Sequence, residues 1–389
     1  MYGFFLFLPM DENNSDVLRK FRLRNVLWPV LIGLIVTLGL FLYKELFSGE
    51  ESVLKALESI SWTYWSLMYI GIGFLMMVLR DLGYVWRMRI LTDGKLSWRQ
   101  CLEVTLLWEF ASALSPSVVG GSAVAIFMLM REKISAGRST AIVFVTVFLD
   151  ELFYVLMLPV VLLIVGNQAM FYPVTDMDTG DEVASLFGQG LMVSFWIAYG
   201  VIVAYTLFLA FAIFFRPYAS HMLIKRLFFA RFLKRWQRRG IKMANELLIS
   251  AEEFKSKPLS YWFQAFLATL ISWMARYLVL NAVLAAFAVT ALGFYGHTVA
   301  FARQAIMFVM MIISPTPGSS GVAEFIFSQL LEDLTPAGLA IALAALWRLI
   351  SYYPYLLIGP LLLPRRLRRG LKDSDEEKAA RLPDAKPRS

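Results

Sequence analysis

Long apolar runs alternate with short polar stretches along most of this chain of 389 residues. A helix needs about 20 consecutive apolar residues to cross the hydrocarbon core of a bilayer. Six runs approach or exceed that length, so the pattern predicts six membrane-spanning helices. The six runs cover residues 26–43, 62–79, 139–165, 190–215, 261–290 and 337–363.

Two further apolar regions are interrupted near their middle by proline, glycine and serine. The first interruption is "LSPSVVGGSAVAI" at 114–126, and the second is "ISPTPGSSGVAEF" at 313–325. The apolar runs beside each interruption are too short to span a bilayer comfortably. These short runs cover residues 101–115 and 118–130 in the first region, and 299–313 and 318–331 in the second.

The charges of the polar loops predict the orientation of the spans, because short loops rich in Lys and Arg stay in the cytoplasm. Basic loops flank residues 101–130 on both sides, so this segment is predicted to enter and leave from the cytoplasmic face as a re-entrant hairpin. The same alternation places a second hairpin, residues 299–331, in the opposite face. Two full crossings for each interrupted region would satisfy the same loop charges, and ordinary proline-kinked helices are a further alternative, so both stay open. The basic loops are 19–24, 80–99, 131–138, 216–257 and 364–369, and the acidic loops are 44–58 and 166–189.

The two interruptions also correspond in residue type. When Pro116 is aligned with Pro315, Ser117 falls on Thr316. Opposed hairpins of similar sequence are typical of an inverted-topology repeat. The predicted fold class is therefore an all-α polytopic membrane protein with six full spans and two re-entrant hairpins, or eight segments if the hairpins are counted as spans.

One transmembrane domain is predicted over residues 26–363, between a cytoplasmic segment, 1–25, and a charged tail, 364–389, that is predicted to be disordered. Residues 216–257 mix apolar side chains with many lysines and arginines. This mixture predicts an amphipathic helix on the cytoplasmic leaflet, although a simple positive-inside anchor has the same composition. The predicted location is a bacterial-type inner membrane, with both termini in the cytoplasm.

The composition narrows the classes of function. Hydrophobic residues make up 59% of the chain and charged residues 17%, whereas apolar residues are roughly 45–50% of a soluble domain. In a membrane protein, a net charge of +8 points to anionic lipid as a partner and away from nucleic acid. One cysteine and two histidines exclude an intrachain disulfide framework and leave little for a metal site, so no cofactor is expected.

Ionisable residues inside the apolar segments are costly and therefore informative. At a rise of about 1.5 Å per helical residue, Asp150 and Arg348 approach the middle of the membrane, as the hairpin tips do. We expect the charges and both tips to meet at one central site. The acids are Glu109, Asp150, Glu151 and Glu324, and the bases are Arg276, Arg303 and Arg348.

An anion site is predicted at the second interruption. The helix after it is predicted to begin near Gly318, with Ser319 and Gly321 in its first turn, and its free N–H groups would attract an anion. Arg276 or Arg348 would complete a phosphate pocket. The full set of candidate substrate-binding residues is Ser115, Pro116, Gly120, Gly121, Ser122, Asp150, Glu151, Arg276, Pro315, Pro317, Gly318, Ser319, Gly321, Glu324, Arg348 and Tyr352.

The roles of the buried acids stay open at this point. Glu324 lies early in its helix, where the helix dipole favours a carboxylate, and it could instead carry a proton. Asp150 and Glu151 are about 100° apart on a helix, so only one is expected to face the site. The acids and arginines could also simply pair between spans and hold the bundle together.

The segment "SPTPGSSGVAE" at 314–324, followed by "LWRLISYYPYLLIG" at 346–359, resembles the lysylphosphatidylglycerol synthase transmembrane-domain family, also called the flippase-like domain family. The resemblance covers nearly all of the predicted transmembrane domain. It implies a role in lipid translocation. A family motif of proline, glycines and glutamate, followed by an arginine in a late span, maps onto Pro317, Gly318, Gly321, Glu324 and Arg348, with serine in place of one common glycine.

The first hairpin departs from the family pattern. Family members often carry a Gly-Glu pair there, whereas this chain has Gly120, Gly121 and Ser122. Asp150 is matched to a family aspartate. The soluble aminoacyl-transfer domain of the namesake enzymes has no counterpart after residue 370, so aminoacylation is not expected.

Three functions follow as hypotheses. The first is a flippase for an anionic phospholipid or a polyprenyl phosphate. The second is an intramembrane lipid-modifying transferase with Asp150 or Glu324 as general base, although we find no nucleophile motif or metal-ligand cluster and predict no catalytic residue. The third is a non-catalytic membrane partner of a lipid-modifying enzyme, and the protein could also form homo-oligomers.

Overall fold

The described part of the chain is built from α-helices joined by short turns, and it contains no strand, so the fold is all-α as predicted. The computed structural model describes residues 62–115, 118–171, 182–215, 237–288, 292–314 and 316–366, with isolated helical positions at 35, 39, 42, 218, 222 and 226. The helices are α1 (Tyr64–Leu91), α2 (Trp98–Leu114), α3 (Val118–Arg131), α4 (Ala136–Val165), α5 (Asn167–Phe171), α6 (Glu182–Ala210), α7 (Gln237–Lys255), α8 (Leu259–Phe287), α9 (Gly293–Ile313), α10 (Val322–Leu330), α11 (Ala340–Ser351) and α12 (353–366).

Five helical segments within the described residues are long and apolar enough to cross a membrane, and they match five of the six predicted spans. These segments are α1, α4, α6 with its π-helical end (Phe211–Phe215), α8, and α11 together with α12. The remaining predicted span, 26–43, lies outside the described residues apart from three isolated positions. The protein is therefore a polytopic helical bundle whose long helices pack around the broken segments.

The first long helix differs from its prediction in length. Residues 80–99 were expected to form a basic loop, because the apolar run ends at an arginine. That expectation is wrong for residues 80–91, which continue α1 to Leu91. Arg80 and Arg87 are buried beside carboxylates, and a paired arginine is tolerated in an apolar bundle where an isolated one is not.

Serine residues begin two of the helices that build the centre of the bundle. The Ser97 side chain caps α2 by accepting the Gln100 N–H, and the Gln100 side chain accepts the Ser97 N–H at 2.8 Å in return. The Ser135 side chain caps α4 by accepting the Arg138 N–H at 3.3 Å. Each cap satisfies N–H groups that the first helical turn leaves without a partner, so these helices start where the local sequence directs them.

The two interrupted regions are hairpins that enter the bundle from opposite ends. The first hairpin consists of α2 and α3, and the second consists of α9 and α10. At the base of the first, Arg366 at the end of α12 pairs with Glu103 at 2.8 Å. At the base of the second, Arg303 Nη1 donates to Leu330 O at 2.9 Å, shortly before α11 begins. Because α11 and α12 run from one base to the other, the two bases lie at opposite ends.

The tips of the two hairpins touch each other inside the bundle. The Gly318 N–H donates to Ser115 O at 3.3 Å. Within the first hairpin, a Cβ at Gly121 would lie 1.9 Å from Ser112 Oγ, so glycine is what lets α3 approach α2 this closely. The tips therefore meet within the bundle, which fits re-entrant hairpins, and the opposite directions fit an inverted repeat, although both stay predictions.

The last span is broken, although a single helix over 337–363 was expected. α11 ends at Ser351, Tyr352 has non-helical backbone angles (φ −126°, ψ −53°), and the chain resumes as α12 at residue 353. Pro354 follows in the first turn of α12, where a missing N–H costs little. Three interruptions of helix, two at the hairpin tips and one at Tyr352, therefore meet in one place.

The predicted amphipathic segment contains α7, which packs against the loops at the end where the first hairpin enters. Gly137 N–H donates to Glu246 Oε2 at 2.9 Å, and a Cβ at Gly137 would lie 2.2 Å from Glu246 Cβ. Arg138 pairs with Glu253 of α7 at 2.8 Å and with Asp93 at 2.7 Å. These contacts join α7 to the start of α4, whereas its contact with a lipid leaflet stays a prediction.

Candidate functional site

A cavity of about 260 Å³ lies where the hairpin tips meet the long helices, and we call it the polar cavity for the ionisable side chains in its otherwise largely apolar wall. Its walls come from α1, α2, α3, α4, α8, α9, α11, α12 and the tip of the second hairpin. Several ionisable side chains enclosed by apolar helices are costly, and such groups mark functional sites in membrane proteins. The charged residues of the wall are Arg87, Glu109, Asp150, Arg276 and Arg348.

The cavity lies near the middle of the surrounding helices. At 1.5 Å per residue, Asp150 is about 21 Å from the start of α4, and Arg276 is about 26 Å from the start of α8. Both helices are roughly 42 to 44 Å long by the same measure, which exceeds the hydrocarbon thickness of about 30 Å. The charged groups therefore lie close to the midplane of a bilayer that these helices would span.

One ion pair joins α1 to α4 on the wall of the cavity. Arg87 Nη1 donates to Asp150 Oδ1 at 2.5 Å, and Arg87 Nη2 lies 3.3 Å from Asp150 Oδ2. The same carboxylate accepts the Trp273 indole N–H at 2.7 Å, and Arg87 also donates to Thr269 Oγ1 at 3.1 Å, both from α8. Asp150 therefore accepts from Arg87 and from Trp273, and the charge of Arg87 is compensated by this carboxylate.

A second buried arginine lies behind the cavity wall. Arg80 is 1% exposed, with Nη2 at 2.7 Å from Glu109 Oε2 and Nε at 3.3 Å from Asp81 Oδ1. Neither contact has hydrogen-bond angles, so both are ion pairs only. The Tyr84 and Tyr355 rings lie 5.4 and 4.9 Å from its guanidinium, within range of cation–π attraction. Arg80 is compensated on several sides, and Glu109 is compensated with it.

Arg276 differs from the other arginines of the cavity. Its Nη1 lies 3.5 Å from the Tyr84 hydroxyl, at the limit of a hydrogen bond, and its guanidinium is 5.3 Å from the Trp273 ring centre. Within the described part of the chain, no carboxylate lies within 4.0 Å of it. Arg276 therefore presents a positive charge to the cavity that aromatic rings attract but no carboxylate contacts.

The tip of the second hairpin is fixed by a glycine and an aromatic ring. Gly318 has φ +55°, and a Cβ there would lie 2.3 Å from Tyr352 Cε2, so only glycine fits. Arg348 Nη2 donates to Gly318 O at 2.7 Å, and its guanidinium lies 3.9 Å from the Tyr352 ring centre. The Tyr352 hydroxyl donates to Ala113 O at 3.0 Å, which ties this tip to the first hairpin.

The predicted anion site at the start of the next helix is already occupied by Glu324. The Glu324 side chain, 1% exposed, accepts the Gly321 N–H at 2.7 Å. Its other oxygen lies 3.3 Å from Arg348 Nε, an ion pair without hydrogen-bond angles. α10 begins at Val322, and Gly321 and Val322 line a separate, mostly apolar cavity beside α6. The helix N-terminus therefore faces away from the polar cavity, and Glu324 balances Arg348.

A comparison with known proteins agrees with this architecture. Residues 30–359 match the family described as the lysylphosphatidylglycerol synthase TM region. The chain belongs to this family. A UPF0104 membrane protein from Archaeoglobus fulgidus is similar to it, with 26% identity over 342 residues that cover 85% of this chain and 94% of that protein. The resemblance inferred from the second interruption and the last span is confirmed.

The structure of this family member separates the predicted site residues into groups. Those that line the polar cavity are Ser115, Ser122, Asp150, Arg276, Gly318, Ser319, Arg348 and Tyr352. Gly121 and Glu324 lie behind the wall, and Glu151 does not line the cavity, so Asp150 is the member of its pair that does. Gly120 lies in the first turn of α3, and Pro317 begins a 3₁₀ turn (Pro317–Ser319). Pro116 and Pro315 lie outside the described residues.

The residues that α1 contributes to the site were not predicted from the sequence. Arg80, Tyr84 and Arg87 were assigned to a loop, yet their spacing of i, i+4 and i+7 places them on one face of a helix. This helical spacing could have indicated that α1 continues, but a search for uninterrupted apolar runs ends at the first arginine and does not detect it. Trp273 was missed for a different reason, since nothing local distinguishes it from a lipid-facing tryptophan of α8.

The described residues hold no group of three or more His, Cys, Asp or Glu side chains that could bind a metal ion. Glu109 and Asp150 are the carboxylates of the cavity wall, and each is engaged by an arginine. The arrangement can therefore bind an anion at Arg276 and neutral polar groups at the surrounding hydroxyls.

Proposed function

We propose that this family member moves the headgroup of an anionic lipid, either a phospholipid or a polyprenyl phosphate, between the leaflets through the polar cavity. The observation that supports the proposal is Arg276, which faces the cavity near the midplane with no carboxylate of the described residues within 4.0 Å. Each of the other charged groups of the wall lies beside an opposite charge, either on the wall or directly behind it. An anion is the ligand whose charge would compensate the Arg276 guanidinium.

Electrostatics favour this assignment. A buried arginine loses its hydration, and the loss is offset only when an opposite charge or several acceptors compensate it. Arg80, Arg87 and Arg348 have that compensation from protein carboxylates. Arg276 has one long contact to Tyr84 and an aromatic ring. Arg276 is partly buried, and a phosphate in the cavity would accept hydrogen bonds from its guanidinium and offset the hydration that it has lost.

The two hairpins give a route for such a headgroup. Non-helical backbone at membrane depth is tolerated where it is buried or lines a cavity, and the tips of both hairpins meet at this one. In transporters with opposed broken segments, movement of one repeat against the other opens a central site to each face in turn. We expect the basic loops, and with them both termini, to lie in the cytoplasm.

The test is movement of labelled anionic lipid between leaflets of proteoliposomes. We expect the wild-type protein to move it, and Arg276→Gln to slow movement by at least about tenfold, the effect of losing a charged contact of roughly 1.5 to 3 kcal/mol. Arg99→Gln is the matched control, because the Arg99 side chain is 71% exposed on α2, and it should leave the rate unchanged.

A rate that Arg276→Gln leaves at the wild-type value would contradict the assignment of Arg276. Folded wild-type protein that moves neither phospholipid nor polyprenyl phosphate would contradict translocation itself. In that case a lipid-modifying enzyme or a non-catalytic membrane partner becomes the better hypothesis.

A further inference from the structure

Besides the ion-paired groups and several apolar side chains, the cavity wall carries neutral hydroxyl and indole groups. They are Thr105, Trp108 and Ser112 of α2, Ser122 of α3, and Trp347 and Ser351 of α11. We propose, on the basis of the proposed function, that these groups bind a polyol, so that the translocated headgroup is a phosphate linked to a sugar or an inositol.

The Thr105 hydroxyl is the group on this wall whose burial most clearly favours contact with a ligand. Thr105 is 4% exposed, lines the cavity, and its Oγ1 has no hydrogen-bond partner within the described residues. A buried hydroxyl without a partner costs roughly 1 to 3 kcal/mol, and nearly all such groups in folded proteins are satisfied by protein, water or ligand. A ligand hydroxyl reaching this side chain would satisfy it.

Further groups on the same face of α2 are also available. Thr105, Trp108 and Ser112 are spaced i, i+3 and i+7, which places them on one side of the helix. A Cβ at Gly121 would lie 1.9 Å from Ser112 Oγ and 3.0 Å from Trp108 Cδ1, so both side chains lie beside the start of α3. Neither the Ser112 nor the Ser122 hydroxyl forms a hydrogen bond with the described residues.

The two indoles suit a ring that is apolar on its faces and polar at its edge. Trp108 and Trp347 line the cavity, and neither indole N–H donates to an acceptor in the described part of the chain. A sugar or inositol ring offers C–H groups to the face of an aromatic ring and hydroxyls to donors and acceptors around it. Serine and threonine hydroxyls both donate and accept, which matches a polyol.

Other headgroups fit this wall less well. A bare phosphate could accept from Arg276 and from the hydroxyl and indole donors, but it would leave the acceptor capacity of Thr105 and Ser112 unused, whereas a polyol can use both. An ammonium group requires a free carboxylate, but Glu109 and Asp150 are engaged by Arg80 and Arg87. The combination of one available arginine with neutral hydroxyls therefore points to a phosphorylated polyol.

The test compares headgroups on identical tails, with the full-length protein in nanodiscs. Phosphatidylinositol is compared with phosphatidic acid, and a hexose-linked polyprenyl phosphate is compared with the same polyprenyl phosphate without the sugar. We expect tighter binding, by about tenfold, of the polyol form in at least one pair, equivalent to one or two additional hydrogen bonds. The pair that gives the difference identifies the tail as diacylglycerol or polyprenol.

Substitutions on the cavity wall test whether its hydroxyl groups cause the difference in affinity between the two headgroups. Thr105→Val combined with Ser112→Ala should reduce the preference for the polyol form to about twofold or less. Thr146→Val is the matched control, because Thr146 is 1% exposed, also has an unpartnered hydroxyl, and lies on α4 outside the cavity wall. It should retain the full preference.

The outcomes separate this inference from the function on which it rests. Equal affinity for both members of each pair, with binding still lost in Arg276→Gln, would overturn polyol recognition and leave anionic-lipid translocation intact. A polyol preference that survives Thr105→Val with Ser112→Ala would overturn the role of this wall. Absence of binding to all four lipids would overturn the proposed function as well.

Discussion

The two hairpins run in opposite directions, and different interactions hold their tips. The second tip contains a buried ion pair between Arg348 and Glu324 and a close contact between Gly318 and the Tyr352 ring. The first tip has no ionisable residue between positions 110 and 130, and it contributes Ser115 O and other neutral groups to the contact. One tip is held by charge, the other by backbone hydrogen bonds and small side chains.

This difference indicates how the two hairpins divide their roles. A buried ion pair is costly to break, because either partner alone would be a charge without compensation. Neutral hydroxyls can exchange one partner for another at little cost. We therefore infer that the second tip acts as a fixed frame, while the first tip, with Ser112, Ser115 and Ser122 on the cavity wall, adjusts to the ligand.

Removal of the charge from Glu324 should have the largest effect. Glu324→Gln leaves Arg348, which is 3% exposed, without its carboxylate, and we expect the free energy of unfolding to fall by about 3 kcal/mol. Equilibrium unfolding in detergent measures the loss. Glu252→Gln on the exposed face of α7 is the control and should be near neutral. Equal losses of unfolding free energy in the two variants would show that the ion pair does not hold the second tip.

A methyl group at Gly318 should have the next largest effect. Gly318→Ala places a Cβ 2.3 Å from Tyr352 Cε2 at a residue with φ +55°, and we expect destabilisation of about 2 kcal/mol. Gly71→Ala is the control, since a Cβ there meets nothing within 4 Å, and it should be neutral or slightly stabilising. Thermal unfolding of both variants decides the point, and matching midpoints would show that the contact with Tyr352 does not hold the tips together.

The first hairpin should tolerate loss of its acid better than the second. Glu109→Gln removes one partner of Arg80, but Asp81 remains at 3.3 Å and two tyrosine rings stay beside the guanidinium. We expect a loss of about 1 kcal/mol in the free energy of unfolding, measured as for Glu324→Gln. A loss as large as that of Glu324→Gln would contradict the contrast between a charged and a neutral tip.

Several features of the fold were predictable because their causes are local. The lengths of the apolar runs predicted five long helices of the described part, and the proline and glycine clusters predicted the two hairpins. The break at Tyr352 was not predicted, although Pro354 was a signal for it. The end of the first span was misplaced, because local hydropathy counts every arginine as exposed to solvent. It contains no information on a carboxylate that pairs with the arginine from another helix.

The sequence by itself determined the class of protein, the positions of most long helices and most of the costly charges, because hydropathy and helix breaking act over a few neighbouring residues. Only the tertiary structure decided which charges are compensated. Arg87 meets an aspartate 63 positions away, and the same aspartate meets Trp273 across 123 positions. The same packing leaves Arg276 without a carboxylate among the described residues, since ion pairing depends on distance in space and not on distance along the chain.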